Sequence, residues 1–161
     1  MQLSNIVNWR QQRNGECLPA CVAMVMTYLG ERVQYQRLKQ RLGTTESGTP
    51  FPNIDRLRSW RLIIERSQGN LVTLRQRLAT GQPVIVPVAT ELLPYWLLRP
   101  DFSRAEHITE HAIVVVGLDE QYLYVNDPDF VEAPQVVEIA WFMDAWQHHN
   151  LWYAVIRRRW G

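Results

Sequence analysis

Residues 11–30, QQRNGECLPACVAMVMTYLG, decide how this chain is read. A polar loop feeds a helix that begins near Leu18, runs through Tyr28 and stops at Gly30. Pro19 fits the first turn, where a backbone N–H has no intrahelical partner and its loss costs little. Cys17, Ala20, Cys21, Met24 and Tyr28 recur at helical spacing and predict one buried stripe topped by Cys17. A helix N-terminus offers the positive end of the backbone dipole and unpaired N–H donors, surroundings that favour a thiolate. Cys17 is therefore where a nucleophile would be placed. Cys21, one turn deeper, reads as packing, since free cysteine is among the most often buried residues.

Outward from this helix, VQYQRLKQRLG places Val33, Leu38 and Leu42 on a second, amphipathic helix ended by Gly43. TTESGTPFPN is turn chemistry. Asn53 caps a short helix, NIDRLRSW, and RLIIER reads as a strand. Asn70 caps a further helix, LVTLRQRLATG, closed by Gly81, and Pro83 leads into a buried strand, VIVPV. HAIVVVG, from His111 to Gly117, is a near-continuous β-branched run of the kind buried on both faces of a sheet. YLYVND follows as a strand ended by Pro128, then the strand QVVEI, the helix IAWFMDAWQHH and a final strand, LWYAVIRRR. Helices first and antiparallel strands last predict an α+β class, with residues 1–161 as a single domain.

A chain of 161 residues carrying 17 basic and 16 acidic side chains, net charge +1, has no electrostatic footprint for nucleic acid. Two cysteines four apart argue against a disulfide framework. The N-terminus lacks an apolar signal core and no apolar run matches a membrane span, so the expected setting is reducing and cytoplasmic. Most of the tryptophans should be core. Tyr95 and Trp96, within LLPYWLLRPDF, lie in a proline-bounded apolar stretch that suits a satellite core, a substrate-contacting loop or a partner surface.

A cysteine nucleophile needs a base, an orienter for that base and a donor for the oxyanion. Among the four histidines, His111 opens the strongest strand, His107 lies in a loop, and His148 and His149 end a surface-like helix. If Leu118, Asp119 and Glu120 form a three-residue hairpin loop, His111 faces Asp127. If the loop is Asp119 and Glu120 alone, Asn126 reaches that face instead, because a one-residue slip turns the side chains over. Either could hold the imidazole. Gln11 or Gln12 could lend a side-chain amide to the oxyanion. A metal held by Cys17, Cys21, His148 and His149 is a remote further reading.

The motif Gln11-x4-Glu16-Cys17-x2-Ala20-Cys21, the downstream HAIVVVGLD and the VNDP sequence resemble the bacteriocin-processing cysteine peptidase family, a papain-like domain often fused to peptide-exporting ABC transporters. LRQRLATGQPVIVPV and the Trp-bearing helix near the end extend the resemblance over almost the whole chain. It implies a papain-like fold, with an N-terminal helical half packing its nucleophile helix on a C-terminal antiparallel sheet. It also implies Cys17 as nucleophile, His111 as base, Asp127 as orienter and Gln11 as oxyanion donor, with no cofactor and no metal. The expected partner is a peptide or protein substrate, such as a leader peptide cut after a Gly-Gly pair. With no transmembrane or ATPase region, a stand-alone form is expected, and any transporter would be a separate partner. Transporter-linked forms have Asp-Cys-Gly where this chain has Glu16-Cys17-Leu18, a bulkier residue after the nucleophile. The competing expectation is a degenerate module that binds a peptide or protein without cutting it; the retained Cys, His, Asp and Gln set argues against it.

Overall fold

A computed structural model describes residues 1–100 and 110–159; His107, named above as a loop histidine, and Trp160, one of the tryptophans expected in the core, lie outside them. The first half supplies α1 (Cys17–Tyr28), α2 (Tyr35–Leu42), a 3₁₀ helix (Phe51–Trp60), β1 (Leu62–Gln68), α3 (Leu71–Ala79) and β2 (Val84–Ala89). A 3₁₀ turn (Thr90–Leu92) and the one-turn helix α4 (Pro94–Leu97) follow, and then β3 (Glu110–Leu118), β4 (Tyr122–Asn126), β5 (Gln135–Glu138), α5 (Ile139–Gln147) and β6 (Trp152–Arg158). The strands form one six-stranded sheet in the order β1-β6-β2-β3-β4-β5, with every neighbouring pair antiparallel. The expected α+β class is what forms. The C-terminal strands are joined by β1 and β2 from the first ninety or so residues, because β6 returns between them.

The sheet is buried on both faces, as the β3 run anticipates. Ala112, Val114 and Val116 pack into a core with α1, α2 and the 3₁₀ helix, while Ile113 and Val115 pack into another with α3 and α5. Helix α1 departs from expectation. Its residues Leu18 to Met26 are all buried, so it is a central helix enclosed on every side. A helix apolar all round has no solvent face for a stripe to oppose. Of the tryptophans, Trp146 and Trp96 are core, whereas Trp141 is 45% exposed.

The β3–β4 hairpin corrects both loop lengths considered from the sequence. Its closing pair is Leu118 with Leu123, and Asp119 Oδ1 accepts the N–H groups of Gln121 and Tyr122, each at 2.8 Å, to make the turn. That register alone would carry Asn126 to the face of His111. Val116 is an extra residue, however: Gly117 pairs with Tyr124, but Val115 already pairs with Val125. The bulge shifts the remaining pairs by one, so Val114 lies opposite Asn126 and Asp127 shares the face of His111.

The chain's first residues line the strand at that bulge. Leu3 N–H donates to Val116 O at 2.7 Å and Leu118 N–H donates to Met1 O at 2.8 Å. Gly117 makes the close approach possible, since a Cβ there would lie 2.9 Å from Met1 O and 3.0 Å from the Tyr124 ring. Gly117→Ala is expected to destabilise the fold by about 1–3 kcal/mol, read as a lower urea midpoint at unchanged slope; an unchanged midpoint would show that the segment gives way freely.

Candidate active site

The site lies where the first turn of α1, the start of β3 and the loop after β4 meet. Cys17 is the first helical residue and is partly exposed. Glu16 precedes it without capping the helix through its side chain. Gln11, Cys17, His111, Trp96 and Arg99 all line one cleft of about 1060 Å³. Its far wall is the segment from Gly43 to Phe51. Gly15 backs against that wall at φ 85°, a conformation that favours glycine, and a Cβ there would run into the Thr45 carbonyl oxygen.

His111 is the second residue of β3, its ring is buried, and its Nε2 lies 2.8 Å from Asp127 Oδ1. An ionised carboxylate only accepts, so Nε2 carries the proton and Nδ1 is the ring nitrogen left for a second partner. Asp127 is 0% exposed. Besides His111, it accepts from Asp129 N–H at 2.9 Å on Oδ1, and from Tyr95 O–H at 2.7 Å and Trp96 Nε1–H at 2.9 Å on Oδ2. Four donors on two oxygens stabilise a buried charge that would otherwise be costly.

Burial works against a charged His111, but the charge and hydrogen bond of Asp127, helped by the Cys17 contact, outweigh it and hold the imidazole well above its ordinary 6.5. Burial likewise opposes a charged Asp127, yet His111 and the other donors bring its carboxyl below the ordinary 3.8. A raised folded-state value for histidine gives stability that is complete below 6.5 and is lost as pH climbs through that raised value. A lowered carboxyl gives stability that is complete above 3.8 and is lost as pH falls through the lowered value. The unfolding free energy of the wild type should therefore exceed that of His111→Gln most between about pH 4 and 6.5. The gap should shrink on the alkaline side; one that widens steadily from pH 6 to 10 would contradict this pairing.

Tyr95 and Trp96 stand behind Asp127. The proline-bounded apolar stretch around them forms the short helix α4, which turns both polar atoms onto Oδ2. Trp96 also lines the cleft and meets the His111 ring edge-on at 5.0 Å between centroids. The Arg99 guanidinium covers Trp96 at 4.7 Å and pairs with Asp129.

Gln11 faces the cleft, whereas Gln12 is exposed and does not line it. The Gln11 backbone N–H donates to Pro128 O at 2.9 Å, and Asn8 Nδ2 donates to Asp127 O and Phe130 O at 3.2 and 2.8 Å. The segment before α1 is thus tied to the loop that carries Asp127. One N–H of the Gln11 amide donates to Arg13 O at 3.3 Å, which leaves its second N–H. Asn126 faces the other way, its amide on Ile6 O at 3.4 Å.

The structure rules out the four-residue metal reading. His148 and His149 close α5, which packs on one face of the sheet, while Cys17 and Cys21 belong to α1 on the opposite face. Sequence reasoning gave Glu16 no role beyond a departure from a motif. It is 4% exposed and accepts from Gln12 N–H, Tyr35 O–H and Lys39 Nζ. A lone carboxylate at the junction of a polar loop and a wholly apolar helix was the available signal, since such a charge must find partners.

Comparison with known proteins completes the description. Residues 4–150 match the model of the Peptidase_C39 like family. A C39-like peptidase from Bacillus anthracis superposes with a TM-score of 0.77 at 18% identity, over 98% of this chain and 97% of that one. The peptidase domain of Streptococcus ComA, a bifunctional ABC transporter of a quorum-sensing pathway, gives 0.71 at 18% identity, over 93% and 96%. A double-glycine-motif protease from an AMS/PCAT transporter, in complex with its leader peptide, gives 0.70 at 16% identity, over 98% and 97%. At these identities the likeness is one of fold. No curated protein matches the sequence.

Proposed function

This chain belongs to the Peptidase_C39 like family, and on that premise we propose that it is a cysteine peptidase in which Cys17 attacks a peptide carbonyl. One observation carries the reading: a partly exposed Cys17 and a buried His111, itself held by Asp127, line the same large cleft. In this mechanism His111 Nδ1 takes the thiol proton while Asp127 fixes the tautomer and stabilises the imidazolium. The sulfur adds to the carbonyl carbon, and the oxygen gathers charge near the Cys17 N–H and the second N–H of Gln11. His111 then protonates the leaving amine as the thioester forms. Water, deprotonated by His111, hydrolyses the thioester and returns the thiol. Tyr95 and Trp96 serve this chemistry by holding Asp127, and Trp96 also presents its ring to the cleft.

The substrate we propose is a peptide, a leader ending in a Gly-Gly pair being the first to try, because the leader-bound double-glycine protease shares the fold. A free thiol at work fits a reducing, cytoplasmic setting and one domain over residues 1–161. Among the described residues no helix is long and apolar enough to cross a membrane.

Iodoacetamide labelling near neutral pH with peptide mapping tests the reading. Cys17 should be modified fast and His111→Ala should slow it by about 10-fold or more. Cys21 should stay inert, since burial first, and then the charges of Cys17 and Asp127, push its thiol well up. Equal, slow modification of both thiols would sink the proposal.

A further inference from the structure

We propose that Glu16 is a positioning residue that sets the oxyanion-binding geometry, holding the Gln11 side chain and the Cys17 backbone N–H at a fixed separation. The inference rests on the peptidase reading above and adds a residue to it. Glu16 is the last residue before α1, and its buried carboxylate grips three groups from two other segments. Its Oε1 accepts Gln12 N–H at 3.2 Å and Tyr35 O–H at 3.1 Å, and its Oε2 accepts Lys39 Nζ at 2.9 Å. Its own backbone oxygen accepts the first helical hydrogen bond, from Ala20 N–H at 3.0 Å. One residue is therefore fixed at once to the start of α1, to α2 and to the peptide that follows Gln11.

The consequence for Gln11 is geometric. Its backbone N–H is held by Pro128 O at 2.9 Å on one side, and the next peptide is held by Glu16 on the other. The intervening residues Arg13, Asn14 and Gly15 form a turn held by the Gln11 amide on Arg13 O at 3.3 Å and by Thr49 Oγ1–H on Gly15 O at 3.4 Å. Without the Glu16 grip, the separation of the Gln11 amide from the Cys17 N–H would rest on the Pro128 contact and these longer hydrogen bonds. Displacing an oxyanion donor by about 1 Å costs up to about 100-fold in rate. The carboxylate stays charged in its burial because Lys39 meets it directly. Although burial alone would raise its carboxyl, Lys39, Gln12 and Tyr35 together lower it. Tyr35 is locked in turn, its ring against Trp9 at 5.7 Å and under the Lys39 ammonium at 5.2 Å.

The test separates oxyanion binding from thiol reactivity. A peptide aldehyde, acetyl-Gly-Gly-aldehyde, adds to the thiol to give a hemithioacetal whose oxygen occupies the oxyanion site, whereas alkylation by iodoacetamide develops no such oxygen. Glu16→Ala should weaken aldehyde affinity about 10- to 100-fold while the rate of Cys17 alkylation stays within about twofold. Glu16→Gln keeps an oxygen for Gln12 N–H and Tyr35 and should retain affinity within about threefold. It remains informative should the alanine variant not fold. Equal losses of alkylation and aldehyde affinity in Glu16→Ala would mark a merely structural role and overturn the proposal. Unchanged affinity, or a Glu16→Gln loss as large as that of alanine, would overturn it too. So would a wild type that alkylates fast but binds the aldehyde no better than free cysteine does, since there would be no oxyanion site to position. A wild type whose Cys17 is slow to alkylate would instead defeat the peptidase reading beneath it.

Discussion

Cys17→Ala is expected to abolish peptide-bond hydrolysis, by at least about 10³-fold, while the protein still folds and still binds peptide. The sulfur is the atom that forms the acyl intermediate in the proposed mechanism. His111 and Asp127 left behind would have only water to activate, without the thioester that divides the reaction into two easier steps. The substitution removes one partly exposed atom at the mouth of α1, so the core of Leu18 to Met26 beneath it stays filled. Mass spectrometry of a Gly-Gly-containing leader-type peptide incubated with each form gives the rate, and a thermal melt gives the control. Cleavage by Cys17→Ala at the wild-type rate would assign hydrolysis elsewhere. A wild type that binds such a peptide and never cuts it would favour the degenerate binding module.

Asp127→Ala should have the largest effect on stability. At 0% exposure its removal leaves Tyr95 O–H, Trp96 Nε1–H, Asp129 N–H and His111 Nε2–H facing a void. Breaking a buried pair in this way costs about 3–5 kcal/mol. Activity should drop by about 10²–10⁴ as well, because His111 loses both its tautomer and its orientation. Asp127→Asn sharpens the test. Asparagine retains one oxygen for His111 and Asp129, and Tyr95 can turn its hydroxyl to accept from the amide, but the Trp96 indole N–H can only donate and loses the carboxylate oxygen that accepts it. The stability loss should then be about 1–3 kcal/mol, with activity nearly as low as in the alanine variant. Urea midpoints and peptide turnover measured on the same preparations check both. An Asp127→Ala protein as stable as wild type would show that the four donors find other partners.

Much of the site was legible because its signals are local. A proline in a first turn, a cysteine before an apolar helix and a β-branched strand opening on histidine are written in a few consecutive residues. The helix and strand assignments followed from the same short-range periodicities. Tyr95 and Trp96 were less readable. Their proline-bounded stretch has no period, and their tie to Asp127 spans more than thirty residues that only the fold brings together. Glu16 was harder still, since its partners Tyr35 and Lys39 come from a different helix.

A cysteine topping the first helix, a doubly buried strand starting near His111, and the choice of His111's partner between Asn126 and Asp127 were all readable in the order of residues. Tertiary structure alone decided that choice. The hairpin closes on Leu118 and Leu123, a register that by itself favours Asn126, and the bulge at Val116 turns the strand over by one residue. That bulge borders Gly117, where the chain's first residues run alongside β3 in space a side chain would need. Periodicity can state which residues alternate, but the phase of the alternation is set by a bulge that only the paired strands reveal.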